Sequence, residues 1–192
     1  MRRRQFLAGL TATSVLGGVG MGAATGRHET LTNPQLYEQT PHDKALLFSV
    51  DGDERGSFGA RATQAGDRVD IDTSFSHPEA WLVESIRVRV AMPVEDGPDP
   101  RIAVVVPPHG DSSPPPEITM TTVRGKPGTV IELADFDDLA NETVPLGLAA
   151  VPRTTLGEEI TLDVSIDLGS SDMFGTDYTL EGAFTVTPER RE

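Results

Sequence analysis

Four histidines are the side chains best suited to transition-metal binding or acid–base chemistry in this chain: His28, His42, His77 and His109. A neutral imidazole is a common metal ligand and titrates close to physiological pH. No two of them have the spacing of two or four residues that would place both on one face of a strand or helix. The sequence therefore contains no local histidine site, and a folded site would have to bring His77 and His109 together from two loops.

Short acidic clusters are the second kind of candidate. Asp51 and Asp53 flank a glycine, as in calcium-binding loops, and Asp135 and Asp137 form a similar pair farther on. Arg55 interrupts the first cluster, and no glutamate occupies the twelfth position, where an EF-hand loop has its bidentate ligand. Calcium binding at either cluster competes with the simpler interpretation of an acid-rich surface.

Sequence signatures of catalysis are missing. The chain has no Gly-x-Ser-x-Gly elbow, no His-Glu-x-x-His helix, no glycine-rich phosphate loop and no cysteine. We therefore predict no catalytic residue and a protein that is not an enzyme. The alternative, an extracellular hydrolase, requires His77 or His109 to approach a serine or a carboxylate in the folded chain.

One modification motif is present. Asn141, Glu142 and Thr143 form an N-glycosylation sequon whose middle residue is not proline. The motif lies in a predicted loop, so Asn141 is expected to be exposed and is the candidate for glycosylation.

The first 26 residues carry the pattern of an export signal. Arg3 and Arg4 precede Phe6 and Leu7, and an uncharged run rich in glycine and alanine follows. The pattern resembles a twin-arginine signal, which implies the Tat translocase as a partner, export in the folded state, and a secreted or cell-surface location. The apolar run is a marginal membrane span, because a stable one needs roughly 20 strongly apolar residues. Removal of residues 1–26 is therefore expected, which leaves no stable membrane span.

Charge narrows the possible partners. The chain has 30 acidic and 16 basic residues, a net charge of −14, and only two lysines, Lys44 and Lys126. Nucleic acids and anionic membranes bind through lysine and arginine patches, so this balance argues against both. An acidic, lysine-poor chain with a Tat-like leader resembles a haloarchaeal secreted protein. Molar salt shortens the Debye length to about 3 Å and would screen the repulsion among so many acids.

Alternating apolar and polar residues dominate the rest of the chain. The clearest runs are Val69 to Phe75, Ile86 to Met92, Ile160 to Leu168 and Tyr178 to Val186. About nine such strands with frequent turns predict an all-β antiparallel sandwich that resembles the immunoglobulin-like type, with a jelly roll or an open barrel as rivals. We assign residues 27–43 to a polar linker, 44–188 to the sandwich and 189–192 to a tail.

Several local details are also predicted. Antiparallel pairing of the first two runs would set Asp70 and Asp72 against Arg87 and Arg89. Residues 102–106 suit a strand buried on both faces, and 144–151 suit an edge strand because they contain proline and glycine. A bulge is expected at Gly182, one helical turn over residues 136–141, and a core position for Trp81.

These features favour an exported, non-enzymatic sandwich that recognises a protein or a glycan outside the cell. The alternative is an exported protein that binds a small ligand or a metal, calcium or a transition metal, through the loop acids or through His77 and His109. No cofactor is otherwise predicted.

Overall fold

The computed structural model describes residues 27–79, 81–94, 98–106, 116–122, 126–136, 143–153, 155–171 and 175–190. Its regular structure consists of β1 (Arg27–Leu31), β2 (Gln35–Thr40), β3 (Asp43–Val50), β4 (Asp53–Ala65), β5 (Arg68–Ser76), β6 (Trp81–Ala91), β7 (Arg101–Val106), β8 (Glu117–Thr121), β9 (Thr129–Ala134), β10 (Thr143–Val151), β11 (Ile160–Ser170), β12 (Thr176–Val186) and β13 (Glu189–Arg190). None of these described segments forms a helix that is long and apolar enough to span a bilayer.

The strands form two sheets. The first has the order β1-β12-β11-β6-β9-β8, and the second has the order β2-β3-β4-β5-β10-β7 with β13 beside β4. All pairs are antiparallel except β1 with β12 and β13 with β4, which are parallel. The predicted all-β sandwich is confirmed, and it is antiparallel apart from these two short strands.

The core lies between the sheets and follows the alternation in the sequence. In β5, Val69, Ile71 and Phe75 point inward and are buried, and so is Thr73, whose hydroxyl donates to the Leu146 carbonyl at 2.8 Å. Phe58 from one sheet meets Phe184 from the other edge-to-face at 6.2 Å between ring centres. Burying one face of each sheet against the other is the main source of stability in such a fold.

The strand count and the linker prediction were wrong. The described residues hold thirteen strands rather than about nine, and the segment assigned to a linker contains β1, β2 and the start of β3. Both new strands lie at sheet edges, and every residue of β2 is exposed. Their backbones pair with a neighbouring strand, and their few apolar side chains, Leu31, Leu36 and Tyr37, do not alternate with polar ones, so no hydrophobic alternation marks these strands.

The predicted pairing of Asp70 and Asp72 with Arg87 and Arg89 was also wrong. β5 and β6 belong to different sheets, because the connection over residues 77–80 crosses from one sheet to the other. Arg87 instead contacts Glu132 on β9 at 3.1 Å, and Arg89 pairs with Asp163 on β11. Period-two alternation identifies each strand but not its partner.

β7 and β10 exchange their predicted positions. β7 is the edge strand, and Val105 is 50% exposed rather than buried. β10 lies between β5 and β7. The proline in β10 is tolerated because β7 pairs only as far as Gly147, so Pro145 has a neighbouring strand on one side alone.

Two further local predictions differ from the structure, and one lies largely outside it. Gly182 pairs with Val164 in regular register, without a bulge, and faces Leu46 and Pro34 so closely that a Cβ would come within 2.8 Å of each. Trp81 is only partly buried at the margin of the core. The helical turn predicted from residue 136 lies, beyond Phe136 itself, outside the described residues.

The sandwich has two distinct ends. β3 and β4, β5 and β6, β7 and β8, β9 and β10, and β11 and β12 are joined at one end, which we call the loop end. β2 and β3, β4 and β5, β6 and β7, β8 and β9, β10 and β11, and β12 and β13 are joined at the other end, which we call the groove end. Arg55 of one sheet lies over the Trp81 ring of the other, which shows that the two sheets share the same loop end.

Candidate functional site

The residues predicted to have functional roles map to connections at the loop end. Asp51 and Asp53 lie in or beside the β3–β4 turn, His77 begins the β5–β6 connection, and Asp135 follows β9. Asp137 and Asn141 belong to the same β9–β10 connection, and His109 to the connection between β7 and β8, but all three lie outside the described residues. So do Arg3, Arg4, Phe6 and Leu7 of the leader.

His77 is buried rather than solvated. It is 6% exposed, and its ring stacks on Phe75 with centres 5.6 Å apart. Its Nδ1 lies 3.0 Å from the Pro78 carbonyl, while its Nε2 has no hydrogen-bond partner among the described residues. No described hydrogen bond links His77 to a serine or a carboxylate, as the hydrolase alternative would need.

The first acidic pair has a structural explanation. Asp51 has a φ of +53° and Gly52 a φ of +88°. Two successive residues with positive φ form the type I′ turn that joins antiparallel strands, and Asp-Gly is a favoured sequence for it. Asp53 faces Arg55 at 3.8 Å. This geometry explains the Asp-Gly-Asp pattern as a hairpin turn.

The described residues do not gather the other candidates into a metal site. Asp135 is exposed, has a φ of +56° and takes part in an interaction of its own. Within the part of the chain that the structure describes, no group of three or more histidine, aspartate or glutamate side chains is arranged to hold a metal ion.

An aromatic cluster that the sequence did not reveal supports the loop end. Trp81 and Tyr178 meet edge-to-face at 5.8 Å, and the Arg55 guanidinium lies 5.1 Å from the first ring and 5.6 Å from the second. Trp81 Nε1 donates to the Thr176 carbonyl at 3.2 Å. Cation–π contacts of this kind contribute about 0.5–2 kcal/mol. The cluster ties β4, β6 and β12 together directly beneath the connections.

A patch of three carboxylates lies on the outer face of the first sheet, near the loop end: Glu84, Asp167 and Asp177. Asp167 accepts hydrogen bonds from the hydroxyls of Ser85 and Thr179, each at 2.7 Å. Asp177 accepts one from the backbone N–H of Ser170 at 2.8 Å. We call these three side chains the acid patch.

Glu84 is the least satisfied member of the acid patch. Glu84 is exposed as a whole residue, but its carboxyl lies over Gly169, where a Cβ would come within 2.5 Å of Oε1. This partial burial raises the pKa of the Glu84 carboxyl, and the charges of Asp177 and Asp167 raise it further, whereas His28 lowers it. The patch therefore holds more negative charge than it can easily keep ionised.

The acid patch does not form a nucleophile and base. His28 Nε2 lies 3.1 Å from the Thr179 hydroxyl, but that hydroxyl donates its proton to Asp167. The hydroxyl can then only accept from His28, which acts as a donor rather than as a base. The arrangement fixes β1 against β12 and does not activate Thr179.

Comparison with known proteins identifies the family. The family model described as "Domain of unknown function (DUF8121)" matches residues 28–190. The chain belongs to the DUF8121 family. The match begins within β1, so the family includes the two strands that the sequence had assigned to a linker. No curated protein sequence matches this chain.

Solved structures show only distant likeness to the DUF8121 domain. A cohesin module from the family 33 glycoside hydrolase of Clostridium perfringens ATCC13124 has 15% identity, a TM-score of 0.40, and coverage of 70% of this chain and 96% of its own. The reeler domain of human F-spondin has 13% identity, a TM-score of 0.36, and coverage of 69% and 89%. The yeast delta-COP-I mu-homology domain has 8% identity, a TM-score of 0.34, and coverage of 67% and 54%. These values carry no inference about function.

Proposed function

We propose that this DUF8121 protein is an exported, non-enzymatic module of immunoglobulin-like type that recognises a protein or a glycan outside the cell through its loop end. One observation carries this proposal: the loop end collects the connections of five strand pairs above a tightly packed core. Connections held on a rigid sandwich are the usual place for recognition, because they vary without disturbing the core.

The base of the loop end is rigid enough for this role. Arg55, Trp81 and Tyr178 join strands from both sheets, and His77 is packed on Phe75. Binding costs less conformational entropy when the presenting surface is already ordered. These contacts support a preformed recognition surface.

Export rests on the leader. Its twin arginines, Arg3 and Arg4, with Phe6 and Leu7, motivate a Tat route to the cell surface or medium. Replacing both arginines by lysine should retain the protein inside the cell. Immunoblots of cells and medium would measure this, and unchanged secretion of the R3K/R4K variant would contradict the Tat assignment while leaving recognition open.

Recognition can be tested with two charge-matched variants. Glu54 and Glu79 are exposed at the loop end, whereas Asp67 and Glu158 are exposed at the groove end. Glu54→Lys with Glu79→Lys, and Asp67→Lys with Glu158→Lys, change the net charge equally. The immobilised protein would be incubated with envelope fractions at molar salt, and the bound protein or glycan identified and titrated.

The loop-end variant should lose the partner, and the groove-end variant should keep it. Equal binding by both variants would show that the loop end is not the recognition surface. Turnover of a small substrate by the purified protein, without any retained partner, would overturn the non-enzymatic function itself.

A further inference from the structure

Most cations in the described part of the chain are neutralised by nearby acids. The paired side chains are Lys44, Arg55, Arg61, Arg68, Arg87 and Arg89, which contact Glu38, Asp53, Glu189, Asp70, Glu132 and Asp163 respectively. Although acids outnumber bases by 30 to 16, five described cations have no such contact: Arg27, Arg101, Lys126, Arg153 and Arg190.

Three cations without such a partner lie around one groove. Arg101, Lys126 and Arg153 line a groove of about 540 Å³ at the groove end. In the part of the chain that the structure describes, none of them forms an ion pair or a side-chain hydrogen bond, not even with Asp99, the one acid among the described lining residues. Its volume falls in the range of small-molecule sites, roughly 300–1,000 Å³.

Three separate parts of the chain bring these cations together. Arg101 starts β7, Arg153 follows β10, and Lys126 lies in the β8–β9 turn. β7 is the edge of one sheet and β8 the edge of the other, so the groove spans the open side of the sandwich. Its floor includes Ile102 and the partly exposed Met120.

The turn that carries Lys126 is held in place. Arg89 donates to the Pro127 carbonyl at 3.0 Å. Gly128 has a φ of +99° and packs so closely on β6 that a Cβ would lie 2.9 Å from the Cβ of Ala91. The lysine is therefore presented from a fixed backbone, which reduces the entropy lost when it binds a ligand.

We propose that this groove binds a small organic anion with two or more carboxylate or phosphate groups. Three cations around one groove suit several anionic groups on one compact molecule, and threonine hydroxyls from Thr121, Thr122 and Thr129 supply further donors. A long polyanion is disfavoured because it would run over the strongly acidic remainder of the surface. A compact anion meets mainly the local cations, since more distant charges are screened by salt.

A larger groove at the same end is not lined by a comparable cluster of unpaired cations among the described residues. It has a volume of about 850 Å³ and is lined by Asp67 and Glu158 as well as His42 and Arg190. Its opposite charges roughly balance, so it favours neither anions nor cations. The proposal therefore concerns the groove around Arg101, Lys126 and Arg153 alone, and it is independent of recognition at the loop end.

The test is calorimetric titration of the mature protein with citrate, pyrophosphate and acetate, at an ionic strength held constant with potassium chloride. Citrate or pyrophosphate should bind and acetate should not. Comparing the two binders distinguishes carboxylate from phosphate as the preferred group. Hydrogen bonds to charged groups are strong enough that each cation lost should weaken binding about tenfold.

Two triple variants distinguish a specific anion site in the groove from nonspecific electrostatic attraction to the protein. R101Q/K126Q/R153Q removes the groove cations, whereas R27Q/R68Q/R190Q removes the same charge elsewhere. Only the first triple variant should abolish binding. Thermal melts would verify that both triple variants remain folded. The three single variants of the groove cations form a second series of binding measurements. Equal weakening by both triple variants, or no binding of citrate and pyrophosphate by the unaltered protein, would overturn the proposal.

Discussion

Side chains of like charge lie close together in two regions of this molecule, and the two regions differ in whether the protein supplies partners for those charges. In the acid patch near the loop end, Asp167 and Asp177 are held by two hydroxyls and a backbone N–H. Around the groove, Arg101, Lys126 and Arg153 have no comparable partners in the described structure. The two aspartates of the first cluster are satisfied from within the fold, and the second cluster is left for a ligand from solution.

This contrast separates charges that hold the fold together from charges that serve binding. Removing a charge whose partners come from the protein should lower the free energy of unfolding and should change ligand binding little. A charge without partners should behave in the opposite way. The three predictions below test that separation.

The largest effect is expected at a paired cation. Arg89 contacts Asp163 through Nε at 2.6 Å and the Pro127 carbonyl through another N–H. Arg89→Ala leaves Asp163 partly buried without its partner and should lower the free energy of unfolding by about 1–3 kcal/mol. Denaturant unfolding at fixed potassium chloride would measure the change.

Arg153→Ala is the matched control for this measurement. Arg153 is exposed and unpaired among the described residues, so its loss should cost less than about 0.5 kcal/mol. Equal destabilisation by the two substitutions would remove the distinction between paired and unpaired cations.

An intermediate effect is expected within the acid patch. Asp167→Ala leaves the hydroxyls of Ser85 and Thr179 without their acceptor and should cost about 1–2 kcal/mol. Asp167→Asn keeps hydrogen-bonding capacity and removes one of three like charges, so its stability should stay near that of the unaltered protein. If the two variants unfold at the same denaturant concentration, the hydroxyl contacts do not support the patch.

The smallest effect is expected at Glu84, and it depends on pH. The raised pKa means that the folded protein binds the Glu84 proton more tightly than the unfolded chain does, so stability falls as the pH rises above 4.5, the ordinary value. Glu84→Gln should therefore raise the free energy of unfolding at pH 7 by less than about 0.5 kcal/mol, which appears as a small rise in the melting temperature.

That gain should disappear in acid, where Glu84 is protonated in both states. Melting curves at several pH values would follow it, with Glu117→Gln on the exposed face of β8 as the control. A gain that persists below pH 4.5 would indicate a cause other than charge in the patch.

The sequence was sufficient to predict the inner strands. β5, β11 and β12 begin and end within two residues of the predicted runs, because burial of one face imposes a visible alternation. β1 and β2 were missed because edge strands need only backbone pairing. The pairing of β5 with β6 was wrong, since the crossing after Ser76 depends on a turn whose direction no local pattern encodes.

The candidate sites were predictable only in part. Asp51 and Gly52 form the type I′ turn that an Asp-Gly pair favours, so that interpretation was available before the structure. Arg101, Lys126 and Arg153 come from three distant parts of the chain, and nothing near any of them indicates that it lacks an acid. The stacking of Arg55 on Trp81 and Tyr178 likewise depends on contact between the two sheets.

The parallel pairing of β1 gives the sandwich a fixed orientation relative to any tether. Arg27 lies beside Thr176 at the loop end, whereas Arg190 lies beside Gln64 at the groove end. Anything attached ahead of β1 would leave from the loop end, and anything fused after β13 would leave from the groove end. A protein held to a surface through residues preceding β1 would thus direct its cationic groove toward the medium, while release would free both ends at once.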